Sequence, residues 1–143
     1  MRVVLDTNVF ISALLSAKGA PAEIIRRWQA EEFNVVISPP LLDEFKRVLH
    51  YPHVQKHLSR PQEEVDVFLR RLRTVAILVE PDVSLSVIEK DPADDRVLEC
   101  AVAGEASYIV SGNNHLLELG SYNDIIILNP VGFLAVLQVD AKK

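Results

Sequence analysis

The chain alternates short, unbroken hydrophobic runs with longer segments whose apolar residues recur every three or four positions. The short runs are rich in Val and Ile, which predicts buried β-strands. The longer segments, several of which open on a proline, predict amphipathic helices. The predicted strands cover residues 2–5, 33–37, 75–79, 108–110 and 125–128. Helices are predicted over residues 9–15 and 114–119, and others are predicted to begin near Pro21, Pro39, Ser59, Pro92 and Pro130.

Two segments interrupt this alternation. Pro52 is predicted to end the helix that begins near Pro39, because a proline inside a helix removes a backbone hydrogen bond. Residues 81–90 follow neither the helical nor the strand period, so we assign no element to them.

Strands that alternate with helices in this way are typical of an α/β fold. Because the predicted strands are almost entirely apolar, we expect a parallel sheet that is covered by helices on both faces. No repeat or long linker divides the sequence, so we expect a single domain over residues 1–143. In such sheets, polar residues at the carboxyl ends of the strands line the ligand crevice.

The composition places the chain among globular proteins, with 49% hydrophobic and 24% charged residues. Cys100 is the only cysteine, which excludes an internal disulfide and a cysteine-rich zinc module. No apolar run approaches the roughly 18 residues of a membrane span, and Asp6 comes too early for a secretory signal. We therefore expect a cytoplasmic protein with no membrane partner. The net charge of -5 argues against nucleic-acid binding by bulk charge, but it leaves room for a local basic rim.

Asp6 directly follows the first predicted strand, so the crevice rule places it at the edge of the sheet. It is also well placed to cap the helix that follows, and one side chain can serve both purposes. Thr7 and Asn8, which come next, are ordinary turn residues by themselves.

Glu44 lies one turn into the helix after the second strand, beside the apolar stripe that contains Leu41 and Val48. A carboxylate at the border of a core is unusual, because burying an unpaired charge is costly. Two structural explanations remain for Glu44. It could form a salt bridge to Arg47, or it could be an acid that the helix dipole stabilises near the start of the helix.

Asp91, Asp94 and Asp95 cluster at the start of a later helix, where acidic residues often only complement the helix dipole. Asp94 shares its phase with the inward positions Val97 and Leu98, so we expect it to point toward the edge of the sheet. The direction of the other two acids stays open.

Carboxylates from three separate elements would repel one another at the mouth of one sheet. Divalent cations relieve such repulsion, and an all-oxygen ligand set suits Mg²⁺ or Mn²⁺. His53 and His57 are four residues apart, but no third ligand or nearby Glu supports a zinc site, so no histidine is predicted as a ligand. The four histidines are His50, His53, His57 and His115.

Five segments, in order along the chain, carry a resemblance to a known family. They are Asp6-Thr7-Asn8-Val9, the helix with Ser38, Leu42, Glu44 and Val48-Leu49, the stretch Asp91-Pro92-x-Asp94-Asp95 with Leu98 and Ala101, the stretch Tyr108-Ile109-Val110-Ser111-Gly112-Asn113-Asn114-His115-Leu116-Leu117, and Phe133-Leu134. This ordered set resembles the PIN domain. In particular, it is similar to the VapC-like toxins, which are the bacterial and archaeal PIN proteins of toxin–antitoxin pairs.

The resemblance implies a three-layer fold with a parallel sheet of about five strands, and a metal-dependent ribonuclease that uses Mg²⁺ or Mn²⁺. It assigns Asp6, Glu44 and Asp94 to the family's leading acidic positions, as catalytic residues and metal ligands. The next family position, usually an Asp, is Asn113 here, which removes one negative charge. The amide oxygen of Asn113 still offers a ligand atom. Asp95 as a ligand, or Asp91 as a supporting residue, would compensate for the missing negative charge. Thr7, Asn8 and Ser111 match positions that orient the acids.

The same resemblance implies an RNA substrate, a homodimer, and an antitoxin that inserts near the acidic groove. RNA needs positive charge near the acids, for which we favour Lys46, Arg47, Arg70 and Arg71 on the intervening helices. Each of these is otherwise explained as the solvated side of an amphipathic helix.

Two rival functions remain open from the sequence. The first is a PIN-fold module that binds RNA or protein but no longer cuts, because Asn113 replaces an acid. The second is a nucleotide-binding α/β domain, which the absence of a glycine-rich phosphate loop makes the weaker interpretation.

Overall fold

The structure is a computed structural model, and it describes residues 1–88 and 91–141. Its helices are α1 (Thr7–Leu15), α2 (Ala20–Gln29), α3 (Pro39–Leu49), α4 (Pro52–Lys56), α5 (Gln62–Thr74), α6 (Pro92–Ala103), α7 (Asn114–Leu119) and α8 (Pro130–Ala141). Its strands are β1 (Arg2–Leu5), β2 (Asn34–Ile37), β3 (Ile77–Leu78), β4 (Tyr108–Val110), β5 (Ser121–Tyr122) and β6 (Ile125–Leu128). In these ranges, no helix is long and apolar enough to cross a membrane.

The strands form one sheet in the order β3-β2-β1-β4-β6-β5. The five predicted strands pair in parallel, and β5 joins the edge antiparallel to β6. The chain moves outward from β1 to β2 and β3, and then returns to build the other half of the sheet from β4. The strand order therefore reverses between β1 and β4, and the ligand crevice of such a sheet opens outside their carboxyl ends.

The predicted α/β class and parallel sheet are confirmed, while several local details differ. The helix after β1 begins at Thr7, two residues before the predicted start, because Asp6 caps it. Pro52 ends α3 as predicted but also opens the short helix α4, since proline is compatible with the first turn of a helix. The predicted strand at residues 75–79 is reduced to Ile77–Leu78.

Strand β5 is not predicted from the sequence because two residues carry no period. It pairs with β6 across a tight turn in which Asn123 adopts a positive φ of 53°. Of the unassigned residues 81–90, positions 81–88 form neither helix nor strand, and positions 89 and 90 lie outside the described residues.

Three consecutive residues of β1, Val3, Val4 and Leu5, are at most 2% exposed, so both faces of the central strand are covered. Aromatic rings pack around the helices: Phe10 of α1 lies 5.2 Å from Phe45 of α3, measured between ring centroids. This packing brings α3, which carries Glu44, against α1, which follows Asp6.

Helix α6 anchors the segment that precedes it through two buried carboxylates. Asp95 Oδ1 accepts hydrogen bonds from the backbone N–H groups of Val87 (2.9 Å) and Ile88 (3.0 Å). Glu99 Oε2 accepts one from the N–H of Leu85 at 2.7 Å. These bonds hold the chain that leads into Asp91 and the start of α6.

We expect Asp95→Ala to destabilise the fold by about 2–3 kcal/mol, because two backbone N–H groups lose their acceptor. The measurement is the free energy of unfolding from urea denaturation. Asp82→Ala, an exposed acid in the same segment, is the matched control and should change stability by less than about 0.5 kcal/mol. Equal losses in the two variants would refute the anchoring role of Asp95.

Candidate metal centre

A pocket of about 380 Å³ lies at the crevice predicted from the strand order. The residues that line it are Asp6, Thr7, Asn8, Ile11, Ser12, Glu44, Val48, Asp91, Ala93, Asp94 and Asn113. Three parts of the fold supply its acids, which follow β1, lie on α3 and surround the start of α6. The fold thus brings Asp6, Glu44 and Asp94 together although they are far apart in the sequence.

Asp6 is held in one orientation by hydrogen bonds to both of its oxygens. Its Oδ1 accepts from the backbone N–H of Thr7 at 2.8 Å, which caps α1. Its Oδ2 accepts from Ser111 Oγ at 2.7 Å and from Asn8 Nδ2 at 3.2 Å. The capping role and the crevice position therefore coexist in this side chain.

The environment of Asp6 opposes its ionisation. Burial raises its pKa to about 6 from the ordinary 3.8, and the charges of Glu44 and Asp94 add to the increase. The hydrogen bonds from Ser111 and Thr7 lower the pKa but do not offset the burial. A positive ion in the pocket would reverse this balance, because it favours the charged carboxylate.

Asp94 is also buried, and it meets Asn113 from the loop after β4 and His115 from the first turn of α7. Asn113 Nδ2 donates to both of its oxygens, at 3.0 Å and 3.2 Å. His115 Nδ1 lies 3.5 Å from Asp94 Oδ2. Burial raises the pKa of Asp94, the nearby Asp91 adds to this, and His115 opposes it.

The side chain of Asn113 does not present the oxygen that we expected to serve as a ligand. Its Oδ1 accepts a hydrogen bond of 2.8 Å from the backbone N–H of His115 and caps α7. Because that N–H is a donor, the acceptor end of the amide must face it, and the NH₂ end is left to face Asp94.

Glu44 lines the pocket as a half-buried side chain, and its charge raises the pKa of Asp6. The predicted alternative, a salt bridge to Arg47, is absent, because no ion pair within residues 1–88 and 91–141 involves Glu44. Its carboxylate therefore contributes uncompensated negative charge to the pocket.

A family model described as the PIN domain matches residues 2–115. This chain belongs to the PIN domain family. The chain is 28% identical over 131 residues to an uncharacterized protein, MJ1680, of Methanocaldococcus jannaschii, covering 92% of this chain and 83% of that protein.

Two crystal structures share the PIN fold of this chain. One is VapBC2 from Rickettsia felis bound to a DNA fragment from their promoter, with a TM-score of 0.60, 16% identity, and coverage of 90% of this chain and 98% of the matched chain. The other is FitAcB from Neisseria gonorrhoeae, with a TM-score of 0.50, 15% identity, and the same coverage of 90% and 98%. At these identities the likeness supports the fold alone.

Among the supporting residues of this PIN domain, Ser111 is fully buried and joins two parts of the site. It donates to Asp6, and its Oγ accepts a hydrogen bond of 2.9 Å from the backbone N–H of Asn113. Asn8 links the same loops, because its Oδ1 accepts from the N–H of Gly112 at 3.0 Å. Asp91 lines the pocket and caps α6 through the N–H of Ala93.

Asp95 is not among the residues that line this pocket. Its Oδ1 is engaged by Val87 and Ile88, so this acid serves the fold rather than compensating for Asn113.

The four predicted basic residues also lie outside the lining of the acidic pocket. Lys46 and Arg47 are on α3, and Arg70 is exposed on α5. Arg71 lines a separate cavity of about 630 Å³ next to α1, α2 and α5.

His115 is the site residue that the sequence reasoning missed. The ligand atoms of Asp91, Asp94 and His115 all lie within 4.8 Å of one another. The signal in the sequence was its place two residues after Asn113, at the start of the helix predicted over residues 114–119. We considered histidines only for the spacing of a zinc pair, which does not detect a single histidine beside acids from another element.

The donor set fits a divalent cation. Within the described residues, no lysine or arginine forms an ion pair with Asp6, Glu44, Asp91 or Asp94. The Nδ1 atom of His115 lies 3.5 Å from Asp94 Oδ2. Carboxylate oxygens are ligands that Mg²⁺ and Mn²⁺ accept in proteins.

We expect Asp6→Asn to stabilise the cation-free protein at pH 7. The folded pKa of about 6 lies above the ordinary 3.8, so folded Asp6 holds its proton over a range where the unfolded chain has lost it. Stability should therefore fall as the pH rises from about 4 to about 6 and stay low above it. The amide of the Asp6→Asn variant cannot ionise, so the variant does not lose this stability as the pH rises. It has one acceptor oxygen fewer for the hydrogen bonds from Ser111 and Asn8.

The expected gain is about 1–2 kcal/mol in the free energy of unfolding at pH 7, and it should vanish below about pH 4. The measurement is urea denaturation in EDTA at both pH values. The same gain at both would show that the charge of Asp6 is not its cause.

Proposed function

We propose that this PIN domain is a divalent-metal-dependent endoribonuclease of the cytoplasm and the toxin of a toxin–antitoxin pair. The observation that carries the proposal is the convergence of Asp6, Glu44 and Asp94 in one pocket without a neutralising lysine or arginine among the described residues. Membership of the PIN domain family supports nuclease chemistry in that pocket.

Asp6, Glu44 and Asp94 would hold Mg²⁺ or Mn²⁺. A cation bound there supplies a Lewis acid that activates water and stabilises the charge developing on the scissile phosphate. Ser111 and Thr7 keep Asp6 in one orientation, so little reorganisation is needed at that ligand.

The proposal uses no protein nucleophile. Burial raises the pKa of Cys100 to about 12, so its thiol stays protonated and inert at neutral pH. This cysteine is fully buried in α6 and belongs to the core.

Lys46, Arg47, Arg70 and Arg71 are the residues that we propose for the RNA backbone. Arg47 lies three residues after Glu44 on α3 and so neighbours it on the helix surface, whereas Lys46, two residues after Glu44, points to the other side of α3. Their charges would attract phosphates that the acidic residues alone would repel.

For the partners, we propose an antitoxin that inserts near the acidic groove, and a homodimer. Both proposals rest on the family resemblance, and two structural neighbours, VapBC2 and FitAcB, support the first.

The test of the nuclease is RNA cleavage by Glu44→Gln beside Asp43→Asn, which changes an exposed acid next to it on α3. We expect wild type to cleave an RNA panel in Mg²⁺ or Mn²⁺ and to lose the activity in EDTA. Glu44→Gln should lose at least about a hundred-fold of the rate, while Asp43→Asn should keep it. Equal rates in the two variants, or cleavage in EDTA, would refute the mechanism.

A second candidate is a PIN-fold module that binds RNA or protein without cutting. It is favoured by Asn113, which places an NH₂ group rather than a carboxylate against Asp94.

We expect Asn113→Asp to raise the affinity for Mn²⁺ and to increase RNA cleavage, because it adds negative charge. A carboxylate oxygen can still accept from the backbone N–H of His115 and cap α7. Isothermal titration gives the affinity, and Asn123→Asp in the exposed β5–β6 turn is the control. Higher affinity without cleavage in either protein would favour the binding module. Unchanged affinity would contradict the placement of Asn113 beside the cation.

A further inference from the structure

Beside Asp94, the structure assembles a second set of donors that includes a nitrogen. Asp91, Asp94 and His115 come from the cap and first turn of α6 and from the first turn of α7. We infer that Asp91, Asp94 and His115 form a second cation position that shares Asp94 with the first, and that its imidazole ligand makes it select Mn²⁺ over Mg²⁺. This inference rests on the proposed metal-dependent function and identifies the ion that the pocket prefers.

The distances are suitable for one ion. The three donor atoms lie within 4.8 Å of one another, and ligand atoms about 2.0–2.2 Å from an ion are separated by roughly 3–4 Å. Small rotations of the side chains would close this difference. Asp91 and Asp94 line the pocket, and His115 lies beside Asp94 outside that lining.

The Nδ1 atom of His115 is unlike the same atom in two other histidines. In His50 and His57 it lies 2.7 Å and 2.8 Å from a carbonyl oxygen one turn back, which is an ordinary contact within a helix. In His115 it makes no contact with a carbonyl oxygen and instead lies 3.5 Å from Asp94 Oδ2, on another helix. A cation bound there would take this nitrogen and the carboxylate oxygens of Asp91 and Asp94 as ligands together.

The backbone around His115 is fixed by the same bonds that orient Asp6. Ser111 Oγ donates to Asp6 and accepts from the N–H of Asn113, and Asn113 Oδ1 accepts from the N–H of His115. Asn113 Nδ2 then donates to Asp94. This chain of hydrogen bonds connects the two cation positions, so the backbone that carries His115 is fixed beside Asp94 before any ion binds.

The chemistry of the donors gives the selectivity. Mg²⁺ prefers oxygen ligands, whereas imidazole nitrogen suits transition-metal ions. An Asp at position 113 would have favoured Mg²⁺ by adding an oxygen, but Asn113 turns its NH₂ group toward Asp94. His115 supplies the ligand that this substitution removes.

The test is Mn²⁺ binding followed by EPR, in wild type and in His115→Gln, with His57→Gln as the control on the exposed end of α4. Continuous-wave EPR counts bound Mn²⁺, and pulsed EPR detects the nitrogen nucleus of a directly bound imidazole. His115→Gln keeps the backbone N–H that Asn113 accepts, and a thermal melt without metal checks that the fold is retained.

We expect two Mn²⁺ ions per wild-type chain, a nitrogen signal, and at least about ten-fold tighter binding of Mn²⁺ than of Mg²⁺. His115→Gln should lose the nitrogen signal and weaken one Mn²⁺ ion by at least about ten-fold, with little change for Mg²⁺. His57→Gln should match wild type.

Mn²⁺ binding without a nitrogen signal, or a signal that persists in His115→Gln, would overturn this inference and leave the site of Asp6, Glu44 and Asp94 standing. Failure of wild type to bind either ion would overturn both this inference and the proposed nuclease.

Discussion

The burial of several acids in one pocket, where they also repel one another, is the constraint that organises this site. The parallel sheet reverses its order between β1 and β4, so residues that follow these strands meet at one edge, and α3 and α6 add their acids there. Burial is the main cause of the raised pKa of Asp6, which reaches about 6, and of the raised pKa of Asp94, and the charges of neighbouring acids add to both. Because no lysine or arginine pairs with these acids in the described residues, a cation would relieve the repulsion and stabilise the fold at the same time.

Ser111 holds the repelling groups in place. It is fully buried at the end of β4, where it donates to Asp6 and accepts from the backbone of Asn113. Asn113 in turn caps α7 and contacts Asp94. Short side chains and backbone N–H groups therefore set the positions of the acids, and such groups have little rotational freedom to lose. A site built in this way is ordered before its ligand arrives.

Helix α6 divides its acids between the pocket and the fold. Asp94 faces the pocket, whereas Asp95 and Glu99 accept backbone N–H groups from the segment before the helix. Successive helical residues point about 100° apart, so neighbouring acids reach different surroundings. Asp91 accepts from the N–H of Ala93 and caps the same helix, so α6 both anchors the preceding segment and orients an acid of the candidate metal centre.

The sequence by itself determined the five parallel strands, most of the helices and the places of Asp6 and Asp94, because hydrophobic period and strand ends depend on local order along the chain. The short strand β5, the anchoring contacts of Asp95, the orientation of the Asn113 amide and the approach of His115 to Asp94 were decided only by the tertiary structure. A period shows which side of an element is buried, but it cannot show which backbone N–H from a patternless segment will meet a carboxylate. Nor can it show which end of an amide faces an acid, since that depends on donors brought together from distant parts of the chain.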